Sequence, residues 1–319
     1  MSEFVPTEKG MPIRQPSIAN LMIDSADRFT STLGAGGFSV PGTVVNTGSP
    51  FNFNIQRTNS VMNGFFTRLG ATEMIFEYNI PNINAAFNNT KLNWYVPSTN
   101  TMYSTTILTG NYTVSQLAAQ VVANMNSDGP KGAITYNLST LGASASLYTN
   151  KSAIVSNQTF SVSTPTLLAN ELFIPNTAQQ TLTQQPLATN IDLRPFRYLD
   201  FTCRDLTYNQ SVKDTATNNT AHDVLVRWYF DYDNAESLDS LGYPIHQGYL
   251  AFNERRLFNP PKQIRWSPNM PIGNMGFVVY DPQGRDISSY ISTDITNGVL
   301  GLTASAPTNW LMTIQASEV

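Results

Sequence analysis

The chain has little with which to do chemistry. Its 319 residues include one cysteine, Cys203, and two histidines, His222 and His246. A single cysteine excludes an intrachain disulfide, so nothing points to an oxidising compartment. No Cys/His cluster has zinc-ligand spacing. Charge is scarce too. Lys, Arg, Asp and Glu make up 13% of the residues, against roughly 25% in typical soluble domains. Eighteen basic and 22 acidic residues leave a net charge of −4, with no block of Lys or Arg. A protein that neutralises nucleic-acid phosphates needs such a block, so direct nucleic-acid binding is not expected. No apolar run approaches the about 18 residues of a membrane-spanning helix. The first twenty residues hold no apolar core of signal-peptide length, so the expectation is a chain without a secretion signal. On that expectation the Asn-x-Ser/Thr triplets at Asn111, Asn137, Asn150 and Asn157 follow from composition rather than marking glycan sites.

What replaces charge is Asn, Thr, Ser and Gln. Neutral polar surface costs little to desolvate and suits close contact with other protein. The plainer reading is that such residues only connect strands. One stretch reads clearly as a helix, residues 113–126. Thr113 and Gln116 form a capping box. Val114, Leu117, Ala118, Val121, Val122 and Met125 then make one apolar stripe, and Gly129-Pro130 lies just past the end. Elsewhere short alternating strands dominate. Phe51, Phe53 and Ile55 share a face, as do Met74, Phe76, Tyr78 and Ile80 in 73–80. Further strands are expected at 92–96, 103–108, 133–138, 153–162, 198–203, 224–232, 263–266, 276–280 and 310–315. Residues 31–50, 164–186, 213–220 and 238–261 read as loops or irregular segments. Within 164–186 lies an apolar patch of Leu167, Leu168, Leu172, Phe173 and Ile174. Asp281-Pro282-Gln283-Gly284 has the residues of a tight turn. Many short strands without a βαβ rhythm predict a mainly β protein, a jelly-roll β-sandwich with an inserted subdomain that contains one amphipathic helix. The expected division is an N-terminal arm and first strand over 1–30, a jelly-roll base over 31–84 and 187–319, and an inserted domain over 85–186.

The search for a reactive site yields little. His222 precedes Asp223 beside a polar loop and reads as a surface or capping histidine. A Ser-His-Asp triad is recognised by geometry, not sequence, and no G-x-S-x-G elbow supports one here. Cys203 alternates with Leu199 and Phe201 as a small buried hydrophobe. Asp231, Asp233, Asn234 and Glu236, with Asp239 nearby, form the densest run of oxygen ligands. Its spacing and lack of glycine are not those of an EF-hand, so a solvated strand end competes with calcium binding. Gly34-Ala-Gly36-Gly37 lacks the Lys-Ser/Thr tail of a phosphate loop. Trp94, Trp228, Trp266 and Trp310 lie on expected strands and read as core, with an exposed aromatic sugar platform as the rival reading. Arg227, Arg255, Arg256, Arg265 and Arg285 flank these strands as planar donors suited to an interface, or to plain exposure to solvent. No catalytic, cofactor-binding or metal-binding residue is assigned, and no enzyme activity is expected.

Four segments in order resemble the penton, or vertex, capsid proteins of virophages, polinton-like viruses and related large DNA viruses. They are LMIDSADRF (21–29), GNYTVSQLAAQVVANMN (110–126), RYLDFTCRDLTYNQSVKD (197–214) and KQIRWSPNMPIGNMGFVVYDPQGRDI (262–287). The Ile-Asp-Ser near the N-terminus, together with Pro271-Ile272-Gly273 and the Tyr280-Asp281 turn, is the most specific part. The resemblance implies a homopentamer at the five-fold vertex of a virion, contacts with the major capsid protein, and no catalysis. It also implies synthesis in the host cytoplasm or a virus factory. Other minor capsid proteins or a host receptor are further partners it allows. A minor or cement capsid protein and a receptor- or glycan-binding virion head are the alternatives. Interface residues inferred from it are Asp24, Arg28, Arg197, Arg204, Arg265 and Arg285. The proline-bearing segment 1–19 is expected to reach toward the capsid underside or a neighbouring subunit.

Overall fold

A computed structural model describes residues 18–25, 29–33, 39–46, 49–56, 66–78, 80–132, 134–140, 152–163, 168, 172–173, 180–188, 191–207, 214–215, 221–230, 238–243, 252–259, 261–265, 274–289 and 309–318. In chain order the first five strands are β1 (Ile18–Asp24), β2 (Phe29–Leu33), β3 (Ser39–Asn46), β4 (Asn52–Gln56) and β5 (Arg68–Tyr78). β6 (Lys91–Val96) and β7 (Thr101–Thr106) precede helix α1 (Val114–Asp128), and β8 (Tyr136–Thr140), β9 (Ser152–Val162) and β10 (Leu182–Pro186) follow it. Then come β11 (Tyr198–Cys203), the one-turn helix α2 (Arg204–Thr207), β12 (Asp214–Thr215), β13 (Ala221–His222) and β14 (Val224–Tyr229). β15 (Phe252–Leu257), β16 (Ile264–Arg265), β17 (Asn274–Tyr280) and β18 (Trp310–Ser317) complete the chain.

Eight of these strands build a sandwich. One sheet runs β1-β18-β5-β15, with β16 added to β5, and the other runs β14-β11-β17-β4. Numbered one to eight along the chain, the sandwich strands lie in the orders 1-8-3-6 and 5-4-7-2. Pairs 1-8, 2-7, 3-6 and 4-5 are therefore neighbours, all antiparallel. This is a single long ribbon folded back on itself and rolled, the jelly roll the alternation predicts. The roll closes through β5 with β18 and β11 with β17. Side chains from both sheets meet between them. Phe76 of the first sheet packs edge-on against Phe201 and Trp228 of the second, at centroid distances of 5.4 and 5.5 Å. Trp310 meets Phe201 and Phe277 edge-on and Phe53 at a tilt, and its indole N–H donates 2.7 Å to the Pro50 carbonyl, which satisfies its one polar atom.

The inserted subdomain lies between the third and fourth sandwich strands. Its sheet runs β10-β9-β6-β7, with β8 on β9, and α1 packs against β7 and β8. Here the capping box forms as expected: Thr113 Oγ1 accepts from the Gln116 amide, and Gln116 Oε1 accepts from the Thr113 amide. The stripe residues Val114, Leu117, Ala118, Val121 and Met125 are fully buried in a second core with Leu92, Trp94 and Tyr136. The helix ends two residues later than expected. Gly129 is demanded there, because a Cβ on it would sit 2.4 Å from the Met125 carbonyl oxygen. The second core also takes in Ile83, Leu187, Ile191, Leu193, Leu241 and Tyr243.

Several segments read as loops are strands. β2 and β3 pair within 31–50, β10 falls in 164–186, β12 pairs β13 across 213–220, and β15 falls in 238–261. β15, FNERRL, hides behind three consecutive charged residues. It is the last strand of its sheet, and charge on an edge strand guards against pairing with other chains. β5 is longer than the alternation suggested, because a register shift opposite Thr313/Ile314 interrupts its period. Of the apolar patch in 164–186, Leu168, Leu172 and Phe173 are buried in the second core, while Leu167 and Ile174 lie outside the described residues.

Candidate assembly surface

Among the described residues, no three or more His, Cys, Asp or Glu side chains gather to hold a metal ion, and no helix is long and apolar enough to cross a membrane. The tryptophans Trp94, Trp228 and Trp310 are all core. Cys203 is buried, and desolvation pushes its thiol up to about 12.

The abundant asparagines serve partly inside. Asn82, Asn84 and Asn89 are buried, and their amides substitute for backbone. Asn82 Nδ2 donates to the Tyr112 carbonyl at 2.8 Å and Asn82 Oδ1 accepts from the Tyr112 amide at 2.9 Å. Asn89 Oδ1 accepts from the Asn84 amide at 2.9 Å, and its Nδ2 donates to the Asn82 carbonyl at 2.8 Å. These bonds tie the segment leading into the inserted subdomain to the start of α1. Neutral polar composition is thus not all contact surface.

The outer face of the first sheet is the broadest candidate. Register places its outward side chains in rows. One row is Ile18, Ser317, Arg68 and Arg265; another is Met22, Thr313, Glu73 and Leu257; a third is Asp24, Leu311, Ile75 and Arg255. Ile18, Met22 and Leu257 are 64%, 66% and 69% exposed, so three of the large exposed apolar side chains share this face. Among the described residues β1 is also the edge strand of this sheet, and an edge strand is a template for pairing with another chain. Where it is charged, much is settled internally, since Arg255 pairs with Glu73.

The arginines divide into two groups. Arg194 pairs with Asp192, Arg227 with Asp200, Arg256 with Glu254 and Arg285 with Asp281. Asp200 is 2% exposed, and its bonds to Arg227 hold that guanidinium above its usual range, against some opposition from burial. Arg256 also lies 4.5 Å over the Trp228 ring. Arg68, Arg197, Arg204 and Arg265 are exposed and form no ion pair with a described carboxylate. Of the residues named from sequence, Asp24 and Arg265 lie on the outer face of the first sheet. Arg204 opens α2, which packs against β16. Arg197 stands at the opposite end of β11, its carbonyl accepting from the Phe230 amide. Arg285 spends its guanidinium on the fully buried Asp281 carboxylate, fixing the Asp281–Gly284 turn. Arg28 lies outside the described residues, as do 1–17, Gly34–Gly37, Trp266, His246 and the acidic run 231–237. Arg68 was not singled out from sequence. Nothing local marks it, because its significance comes from facing Arg265.

Asp239, considered above as part of an oxygen-ligand run, has a structural task. Its carboxylate accepts from the backbone amides of Ser115, Leu241 and Tyr243 at 2.8, 3.0 and 2.9 Å. A loop between two sandwich strands thereby caps the helix of the inserted subdomain.

No family model matches the sequence, and no curated protein does. Two solved structures follow the chain along nearly its whole length. The mavirus penton protein matches over 96% of this chain and 100% of its own, at 11% identity and a TM-score of 0.47. A chain of the Sputnik virophage, determined by cryo-EM, matches over 95% of this chain and 98% of its own, at 13% identity and a TM-score of 0.40. At these identities the likeness concerns the course of the chain and nothing more.

Proposed function

We propose that this chain is a structural virion protein, with no catalytic role, that self-associates into a pentameric plug at the vertices of an icosahedral capsid and contacts the major capsid protein there. The sandwich of β1, β4, β5, β11, β14, β15, β17 and β18 serves as the base seated in the shell, and 85–186 forms the inserted unit upon it. A jelly roll by itself hosts many functions. The observation that carries the reading is where the segments resembling penton proteins fall. Residues 21–24 lie in β1, at the edge of the first sheet; 198–203 and 274–280 are β11 and β17, the two central strands of the second. These segments therefore build and border the sandwich, and the remaining one is the capped helix α1. A broad sheet face that carries exposed apolar side chains beside arginines suits repeated contact between copies. A ring needs two different patches per subunit, each meeting the other on a neighbour.

Mass photometry of the purified chain tests this. A species near five times the 35.2 kDa subunit supports the ring. A stable monomer or trimer at micromolar concentration refutes it in favour of a cement or fibre role. One observation favours a second activity in the same virion. The face of β6 and β7 turned away from the second core carries Asn93, Tyr95, Ser104 and Thr106 with Lys91 and Met102, polar groups beside an aromatic ring, as a glycan-binding head would. Binding on a glycan array, lost on replacing Tyr95 by Ala, would support it; a silent array would remove it.

A further inference from the structure

The first sheet contains an arrangement that a sheet built only for stability avoids. Arg68 of β5 and Arg265 of β16 are directly opposite each other across an antiparallel pair. Their sequence neighbours Leu69 and Ile264 point into the core, each 1% exposed, so both guanidiniums stand on the outer face. Like charges placed so are destabilising. Among the described residues Arg68 has one side-chain partner, the neutral Gln263 Oε1 at 2.9 Å. Guarding a sheet edge explains charge on β16. It does not explain why the interior strand β5 answers with a second positive charge.

We infer that Arg68 and Arg265 form a carboxylate-binding clamp that receives an acidic side chain from a second copy of this chain. Two guanidinium forks on one flat surface match a carboxylate bidentately. The rest of the row, Ser317 and the exposed Ile18, is neutral, as at an interface where an arginine anchor sits beside apolar contacts. A nucleic-acid groove would need a longer cationic track, and the whole chain is net acidic at −4. That same excess of acid makes a second copy a source of carboxylates. This inference rests on the homo-oligomer proposed above and names the chemistry of its contact.

The test follows assembly by mass photometry and sedimentation, at low and at 0.5 M salt (roughly a 4 Å screening length), for the full chain and for Arg265→Gln and Arg265→Glu. The expected result is assembly weakened by salt, weakened at least tenfold by Arg265→Gln and abolished by Arg265→Glu. Arg265→Glu at the same time gives Arg68 an ion-pair partner, so the dilute monomer melts at the same or a higher temperature. A merely structural role would move stability and assembly in the same direction. Unchanged rings in Arg265→Glu overturn the clamp and leave the pentamer standing. A ring of some other size that Arg265→Glu dissolves supports the clamp and overturns the five-fold reading. A wild-type chain that stays monomeric overturns both. Binding of a short DNA duplex, lost in Arg265→Glu with assembly intact, overturns the carboxylate partner.

Discussion

Asp239→Ala should loosen the inserted subdomain while leaving the sandwich intact. The first four amide groups of an α-helix lack intrahelical partners. In α1 three of those are satisfied: Thr113 by Gln116, Gln116 by Thr113, and Ser115 by Asp239. The same carboxylate holds its own loop through the amides of Leu241 and Tyr243. That loop delivers Leu241 and Tyr243 to the second core, and the Tyr243 hydroxyl donates 2.7 Å to the Ala188 carbonyl. Hydrogen bonds to a charged acceptor are worth about 1.5–3 kcal/mol each when well buried. Asp239 is only half-buried, so water recovers part of each, and about 1 kcal/mol per bond is the appropriate scale. Alanine should therefore cost about 3 kcal/mol in local stability, or roughly a hundredfold faster opening. Asparagine should cost about half, because its amide keeps one oxygen but turns a donor toward one of the N–H groups. Hydrogen exchange read by mass spectrometry over 114–121, with 198–203 as the internal reference, measures this directly. Exchange over the first turn of α1 unchanged in Asp239→Ala would refute the capping argument. Equal acceleration in β11 would show that the two cores open as one.

Two further outcomes test the packing. Phe76→Ala removes a fully buried ring that touches Tyr78, Phe201, Trp228 and Phe230, and should destabilise the sandwich by about 3–5 kcal/mol in chemical denaturation; a loss under about 1 kcal/mol would refute its central place. For Cys203 the folded thiol titrates at about 12 against an ordinary 9.0, so only the unfolded chain loses its proton between those values. Its stability contribution is complete below pH 9 and disappears as pH rises toward 12. The stability difference between the wild type and Cys203→Ala should shrink over pH 9–11 in urea unfolding, and a difference that stays flat would contradict the burial.

How far the sequence reaches is clearest where interactions are local. The capping box and stripe of α1 involve residues within a few positions of one another, and the cap and five of the six stripe residues are found as read, with Val122 only partly buried and the helix two residues longer. Strict alternation placed Phe53, Met74, Phe76, Phe201, Trp228, Met312 and Ile314 in one core because a strand's period alone decides its faces. The pattern failed where a strand sits at an edge and is free to be polar or charged, as in β15, or where a pair is short, as in β12 and β13. It gave no warning that Asp200 would be buried between Leu199 and Phe201, since only the partner strand brings Arg227 within reach.

By itself, then, the order of residues determined the period of the regularly alternating strands, the start and apolar stripe of the helix, and the scarcity of charge. Those follow from side-chain chemistry and from contacts a few residues apart. Only the tertiary structure decided that Arg68 would face Arg265, that Asp239 would cap a helix from another part of the chain, and that Ile18, Met22 and Leu257 would share one outer face. Each of these depends on which strands become neighbours when the ribbon rolls up. That choice is made by burial of the whole core, and no local stretch encodes it.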